Sequence, residues 1–95
     1  MKGYAARVGV EVYCPSCFSL KDKRSVIKGL LDRLKFNFNV SAAEVADQDH
    51  QRRSVLAIAV VASSKSYLEK IISRIDEEIL NTPGLEVRLF EMEDI

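Results

Sequence analysis

Positively charged side chains cluster in residues 21–35, where six basic residues stand against two aspartates. Cations at the start of a helix oppose its macrodipole, but together with the free amide groups of a first turn they suit a phosphate or nucleic-acid backbone. Arg52 and Arg53, further along the chain, extend such a surface if the fold brings them close. The alternative is a solvated helix face. We therefore predict a polyanion-binding set that comprises Lys21, Lys23, Arg24, Lys28, Arg52 and Arg53.

A second candidate site is the C-x-x-C motif at residues 14–17. Thiols at this spacing can chelate one soft metal ion or close a small disulfide loop. Small copper-carrying domains place the same motif at a strand–helix junction, although this chain has Val12 where they commonly have Met. A four-ligand zinc site needs two further ligands, and His50 is the only histidine. We expect Cys14 and Cys17 to be reduced loop thiols, with soft-metal binding or redox chemistry as the alternative.

A polar loop holds Asp47, Asp49, His50 and Arg53. A carboxylate beside an imidazole can serve acid–base or metal chemistry. Neither a nucleophile nor a phosphate-binding glycine loop accompanies these residues, and loops between strands are commonly polar for solvation alone. We therefore expect no catalytic residues, no cofactor and a non-enzymatic function.

The composition is that of an ordinary globular chain, with 95 residues of which 47% are hydrophobic and 29% charged. Such a length supports one core, so we expect a single domain over residues 1–95. The formal net charge is +0, which excludes binding to nucleic acid by bulk charge. The longest apolar run, residues 55–62, is far shorter than the roughly 20 residues of a membrane span. Residues 1–4 lack a secretory signal, so we expect a cytoplasmic location.

Hydrophobic periodicity indicates the elements of the first half of the chain. Alternate residues are apolar over residues 4–12, which is typical of a half-buried strand. Apolar residues then recur every three or four positions between about 19 and 37, which predicts a helix, and Ser19 with Asp22 has the spacing of a capping box. Residues 38–46 are predicted to form a second strand with a bulge near Ala43 and Glu44.

The second half of the chain shows the same change of period. Residues 55–62 are apolar on both faces and rich in β-branched side chains, which predicts a central strand. A second helix is predicted from Ser66, which has capping-box spacing to Glu69, to the Pro-Gly pair at 83–84. Residues 85–90 form the last strand, and a solvated acidic tail follows that contains Glu91, Glu93 and Asp94.

The resulting order, β-α-β-β-α-β, predicts an α+β, ferredoxin-like fold with both helices on one face of a four-stranded antiparallel sheet. The uncovered face should carry Glu11 and one apolar side of the 55–62 strand. Exposed apolar sheet area usually marks an interaction surface. We therefore predict a homodimer, formed through this face or along an edge strand, and a self-association face that contains Arg7, Tyr13, Arg88 and Phe90.

The RNA-recognition motif shares this topology and stacks bases on aromatic side chains of its central strands. This chain has Gly9, Ala57 and Ala59 at such positions. Contact with the RNA backbone or shape is therefore the better hypothesis than base stacking. A metabolite-sensing dimer of the same topology is an alternative with no specific ligand-binding signature.

The Ser-Leu-Lys-Asp-Lys-Arg run at 19–24, residues 31–34 and the stretch 38–45 with its Asn-Val-Ser resemble the YlxP-like family of small bacterial proteins, and the resemblance extends through residues 55–61. It implies a ferredoxin-like fold, and it supplies no catalytic activity or active-site residues to carry over. It also implies a role related to RNA or the ribosome, because such genes neighbour those of transcription and translation factors. Two features depart from the family: Gln51 stands where members often have Trp, and the cysteine pair is unusual.

Overall fold

The computed structural model describes residues 3–95. Its elements follow in the predicted order: β1 (Tyr4–Tyr13), α1 (Leu20–Asn37), β2 (Val40–Ala46), β3 (Arg53–Ala62), α2 (Lys65–Leu80) and β4 (Glu86–Asp94). The strands form one sheet in the order β2-β3-β1-β4, and all neighbouring strands are antiparallel. The ferredoxin-like α+β fold is therefore confirmed. No helix within residues 3–95 is long and apolar enough to cross a membrane.

The core lies between the sheet and the two helices. Alternate residues of β1 and β3 are buried beneath the apolar stripes of α1 and α2. α1 packs on β2, whereas α2 packs on β3, β1 and β4. Burial of each aliphatic side chain stabilises the fold by about 1.5–3 kcal/mol. The fully buried centre of this core includes Val8, Val10, Leu30, Leu34, Leu56, Ile58, Ile75 and Ile79.

Both helices begin at serine caps. Ser19 Oγ accepts a hydrogen bond from the amide of Asp22 at 3.0 Å, which confirms the predicted start of α1. The predicted start of α2 at Ser66 is wrong. Ser64 has extended backbone angles and its Oγ accepts from the amide of Tyr67, so Ser64 is the cap and Ser66 lies in the first turn.

The last strand is longer than predicted. Glu91, Glu93 and Asp94 do not form a tail, because they pair in β4 with residues of β1. Two strands begin two residues away from their predicted starts: β2 begins at Val40 and β3 at Arg53. The bulge predicted in β2 is present as a register shift between Glu44 and Ala46.

Phe90 lies on the opposite face of the sheet from the one predicted. The pairing of β1 with β4 shifts register between Glu11, which faces Leu89, and Val12, which faces Val87. This shift leaves one additional residue in β4 and reverses the alternation beyond it. Phe90 therefore pairs with Val10 and packs against the core, so it does not belong to the uncovered face.

The helix-free side of the sheet, which we call the open face, has small side chains at its centre. Gly9 pairs with Ala57, which in turn pairs with Ala43, and Ala59 lies beside them. A Cβ added at Gly9 would meet no atom within 4 Å. The centre of the open face is therefore shallow, and its charged side chains lie towards the two ends of the strands.

Candidate functional site

Three arginines from two separate parts of the chain converge at one end of the open face. They surround a concavity of about 830 Å³. Its walls come from the end of β1, the β2–β3 loop with the start of β3, and β4. We call this site the arginine pocket, and define it by its lining residues Glu11, Tyr13, His50, Arg52, Arg53, Arg88 and Leu89.

Strand pairing places two of these arginines on either side of Tyr13. Arg53 is the direct partner of Tyr13 in the β1–β3 ladder. Arg88 comes from the bulged segment of β4, and its guanidinium carbon lies 4.6 Å from the centre of the Tyr13 ring. Arg88 Nη2 also donates to Glu86 Oε2 at 2.9 Å. The cation–π contact and the ion pair together hold the Arg88 side chain against the sheet.

Arg53 differs from Arg88 in its charge environment. Across the part of the chain that the structure describes, Arg53 forms no ion pair. Glu11 is the one acidic residue that lines the pocket. The pocket therefore has a local excess of positive charge although the whole chain is neutral.

His50 fixes the backbone that carries the two consecutive arginines. Its Nδ1 accepts hydrogen bonds from the backbone amides of Arg52 at 3.1 Å and Arg53 at 3.0 Å. A ring nitrogen that accepts carries no proton, so the proton of the neutral imidazole is on Nε2. His50 thus orders the loop through one nitrogen and keeps one N–H donor on the other.

Lys23 is a buried structural residue, and its predicted role in binding a polyanion is wrong. Its side chain is 1% exposed. The ammonium group donates to Glu44 Oε2 at 2.9 Å and lies 2.7–3.1 Å from three backbone carbonyl oxygens, those of Asp47, Gln48 and Arg53. No free N–H remains for a ligand, because an ammonium has only three protons.

The network around Lys23 supports the loop that forms one wall of the arginine pocket. Glu44 Oε2 also accepts from Ser54 Oγ at 2.5 Å, so the network joins α1, β2 and β3. Its three carbonyl acceptors flank or belong to the β2–β3 loop. Lys23 therefore positions the loop that carries Arg52 and Arg53. The sequence signal for its burial is its place on the apolar stripe of α1, which it shares with Ile27 and Leu30.

The other cations of α1 lie on its exposed surface. Arg24 Nη2 contacts Asp49 Oδ1 of the β2–β3 loop at 3.5 Å. Lys28 Nζ donates to Asp32 Oδ2 at 2.8 Å, and this hydrogen bond raises the pKa of Lys28 and lowers the pKa of Asp32. Lys21 is exposed. The six predicted residues therefore divide into two pocket arginines, three surface cations and one buried lysine.

Cys14 and Cys17 form a disulfide and are 2% exposed, so the prediction of reduced loop thiols is wrong. Both cysteines pack with the aliphatic residues of the core. Closure of so short a loop contributes about 2 kcal/mol by chain entropy. Within residues 3–95, no group of three or more His, Cys, Asp or Glu side chains is arranged to hold a metal ion.

The disulfide turn is attached directly to the arginine loop. The amide of Cys14 donates to the carbonyl of Arg52 at 2.7 Å. The carbonyl of Cys17 accepts from Arg52 Nε at 3.2 Å and from Gln51 Nε2 at 3.3 Å. Arg52 also lies over the exposed ring of Phe18, 5.7 Å from its centre. Arg52 is thus held through both its backbone and its side chain.

The β2-β3-β1-β4 sheet with both helices on one side places the chain in the class of ferredoxin-like domains. The sequence assigns the chain to a family within this fold class, because the profile of "Protein of unknown function (DUF503)" matches residues 6–92. The chain belongs to this family. It is 41% identical over 68 residues to "Uncharacterized protein YlxP" of Bacillus subtilis (strain 168), a match that covers 72% of this chain and 74% of that protein. The resemblance to YlxP-like proteins is therefore confirmed.

Two solved structures share the fold at low sequence identity. One is a C-terminal segment of the alpha subunit of aIF2 from Pyrococcus abyssi, with a TM-score of 0.60 and 17% identity. That match covers 98% of this chain but 52% of the other. The second is the de novo designed protein Foldit4, with a TM-score of 0.53, 18% identity and 96% of each chain covered. At such identities these likenesses concern the fold alone.

Proposed function

We propose that this chain is a non-enzymatic cytoplasmic module that binds the backbone of single-stranded RNA in the arginine pocket and acts as a homodimer. The observation that carries the proposal is the convergence of Arg52, Arg53 and Arg88 around one concavity. Guanidinium groups are preferred phosphate ligands, since their planar N–H donors match two phosphate oxygens at once.

The chemistry of the pocket favours RNA over a small phosphorylated ligand. Small-ligand sites bury most of the ligand surface, whereas this concavity lies on the surface of the open face. The plane of Arg88 on Tyr13 offers a stacking surface of the kind that single-stranded nucleic acids use. Glu11 disfavours closely packed phosphates but can accept hydrogen bonds from ribose hydroxyl groups.

Self-association forms the second part of the proposal. A face-to-face dimer would cover the arginine pocket, which lies on the open face. An edge strand leaves this face free for RNA. We therefore assign RNA binding to the open face and self-association to an edge of the sheet.

The test is fluorescence anisotropy of a labelled oligouridylate over a range of KCl concentrations. We expect the wild-type chain to bind and the Arg53→Gln, Arg88→Gln variant to bind about tenfold to hundredfold more weakly. The slope of log K against log[KCl] should become shallower by about 1.4, since each phosphate contact contributes about 0.7 for a single strand.

The matched control is Lys70→Gln, Arg74→Gln, which removes the same charge from exposed positions of α2. It should bind as the wild type does. Equal losses in the two variants would show binding by general charge rather than by the pocket. Absence of wild-type binding at low salt would overturn the RNA proposal.

A further inference from the structure

The two edges of the sheet differ in how they are protected. Charged side chains on an edge strand prevent pairing with other strands. The β4 edge has such protection, since it carries Glu86, Arg88, Glu91, Glu93 and Asp94. The β2 edge, with the sequence Val-Ser-Ala-Ala-Glu-Val-Ala, has one charged residue.

That single charge on β2 is directed away from the edge. The Glu44 carboxylate accepts from Lys23 Nζ and from Ser54 Oγ, and its side chain is 16% exposed. Its charge is therefore compensated inside the protomer. The remaining β2 side chains are small or aliphatic, and Ser41, Ala43 and Val45 are exposed. β2 thus presents an uncharged edge whose outward backbone groups have no strand partner within residues 3–95.

We propose that two copies of this chain pair antiparallel through β2 to form a continuous eight-stranded sheet. This inference rests on the self-association proposed above and is independent of RNA binding. A pairing centred on Ala43 would set Ala42 opposite the partner's Glu44 and Ser41 opposite the partner's Val45. In this register Glu44 does not face Glu44 of the partner subunit. Two carboxylates opposite each other would destabilise the strand pair. The same surface serves both protomers, as a two-fold interface requires.

This dimer leaves the arginine pocket open. The pocket is built from β1, β4 and the start of β3, and β3 separates β1 from the β2 edge. A two-fold axis perpendicular to the joined sheet keeps both open faces on the same side. The dimer would therefore present two arginine pockets to one RNA strand, which raises its apparent affinity without any new contact.

The interface is expected to be modest. A pair of seven-residue edges provides mainly backbone hydrogen bonds and contact between small side chains. Stable complexes typically bury about 800 Å² on each partner, and a single strand pair buries less. We therefore expect a dissociation constant in the micromolar range, with dimers dominant at the concentrations that analytical ultracentrifugation covers.

The test compares two double lysine variants by sedimentation velocity over a concentration series. Ala43→Lys, Val45→Lys adds charge to the β2 edge and should weaken dimerisation at least about tenfold, because like charges then meet across the new strand pair. The control Ala59→Lys, Val61→Lys adds the same charge at exposed β3 positions and should dimerise as the wild type does. Circular dichroism melting verifies that both variants fold.

Three results would contradict the inference. Unchanged dimerisation of the edge variant would exclude the β2 edge while leaving self-association intact. Equal dissociation of the two variants would indicate a face-to-face dimer. A wild-type chain that stays monomeric at every concentration would overturn the edge pairing together with the proposed homodimer, whereas RNA binding by the monomer would be unaffected.

Discussion

Replacement of Lys23 by Met should lower the free energy of unfolding by about 3–5 kcal/mol, the cost of removing one partner of a buried ion pair. The substitution leaves the Glu44 carboxylate without its cation in a site where that carboxylate is mostly buried. It also removes the hydrogen-bond donor of the Asp47, Gln48 and Arg53 carbonyl groups. Equilibrium urea denaturation, followed by circular dichroism, measures this loss.

The control for this prediction is Lys21→Met, two residues earlier on the exposed side of α1. It should change stability by no more than about 0.5 kcal/mol. The double variant Lys23→Met, Glu44→Met should recover only part of the loss, since it removes the unpaired charge but leaves the carbonyl groups without a donor. A Lys23→Met protein within about 1 kcal/mol of the wild type would contradict the buried network.

Leu30→Ala should cost about 2–5 kcal/mol, because it opens a cavity where α1 meets the sheet. Leu30 is 0% exposed, whereas Ile72 on α2 is 8% exposed. We therefore expect Ile72→Ala to cost less than Leu30→Ala. The cavity beneath α1 is enclosed, but the site at Ile72 borders solvent and can relax.

Thermal and urea unfolding of the two variants measures this difference. Leu80→Ala provides a matched control, because Leu80 is 57% exposed at the end of α2 and its truncation should change stability by about 0.5 kcal/mol or less. Equal losses at Leu30 and Leu80 would be incompatible with a core between α1 and the sheet.

The sequence alone predicts β1 and the two helices because each of these elements buries one side. The apolar stripe of α1 and the alternation of β1 are direct consequences of that one-sided burial. Ser19 was recognisable as a cap because its partner Asp22 is local. The topology followed from the order of elements and the lengths of their connections.

The errors arise where a long-range contact decides the outcome. One additional residue in β4 turns Phe90 to the core, and the β4 sequence alone does not show which strand pairing contains the shift. The charge of Lys23 favours a surface position, although the residue shares the helical stripe of Ile27 and Leu30. The carbonyl groups of the β2–β3 loop, which are distant in sequence, decide in favour of burial. The start of α2 was misplaced because the capping-box spacing of Ser66 and Glu69 favours Ser66, whereas Ser64 has Tyr67 at that spacing.

The arginine pocket was predictable only in part. Arg52 and Arg53 were expected to bind a polyanion, and Arg88 was expected on the open face. Their convergence depends on the ladder that sets Tyr13 opposite Arg53 and on the bulge that brings Arg88 onto Tyr13. Neither contact leaves a local trace in the sequence, so the sequence favoured the surface of α1 instead.

The most direct test of the arginine pocket is an NMR titration of the ¹⁵N-labelled chain with an unlabelled oligouridylate. Saturable chemical-shift changes should cluster at the backbone amides of Tyr13, His50, Arg53 and Arg88, and the exposed residues of α2 should be unaffected. Changes confined to the outer surface of α1, or spectra unaltered by excess oligonucleotide at low salt, would contradict RNA binding in this pocket.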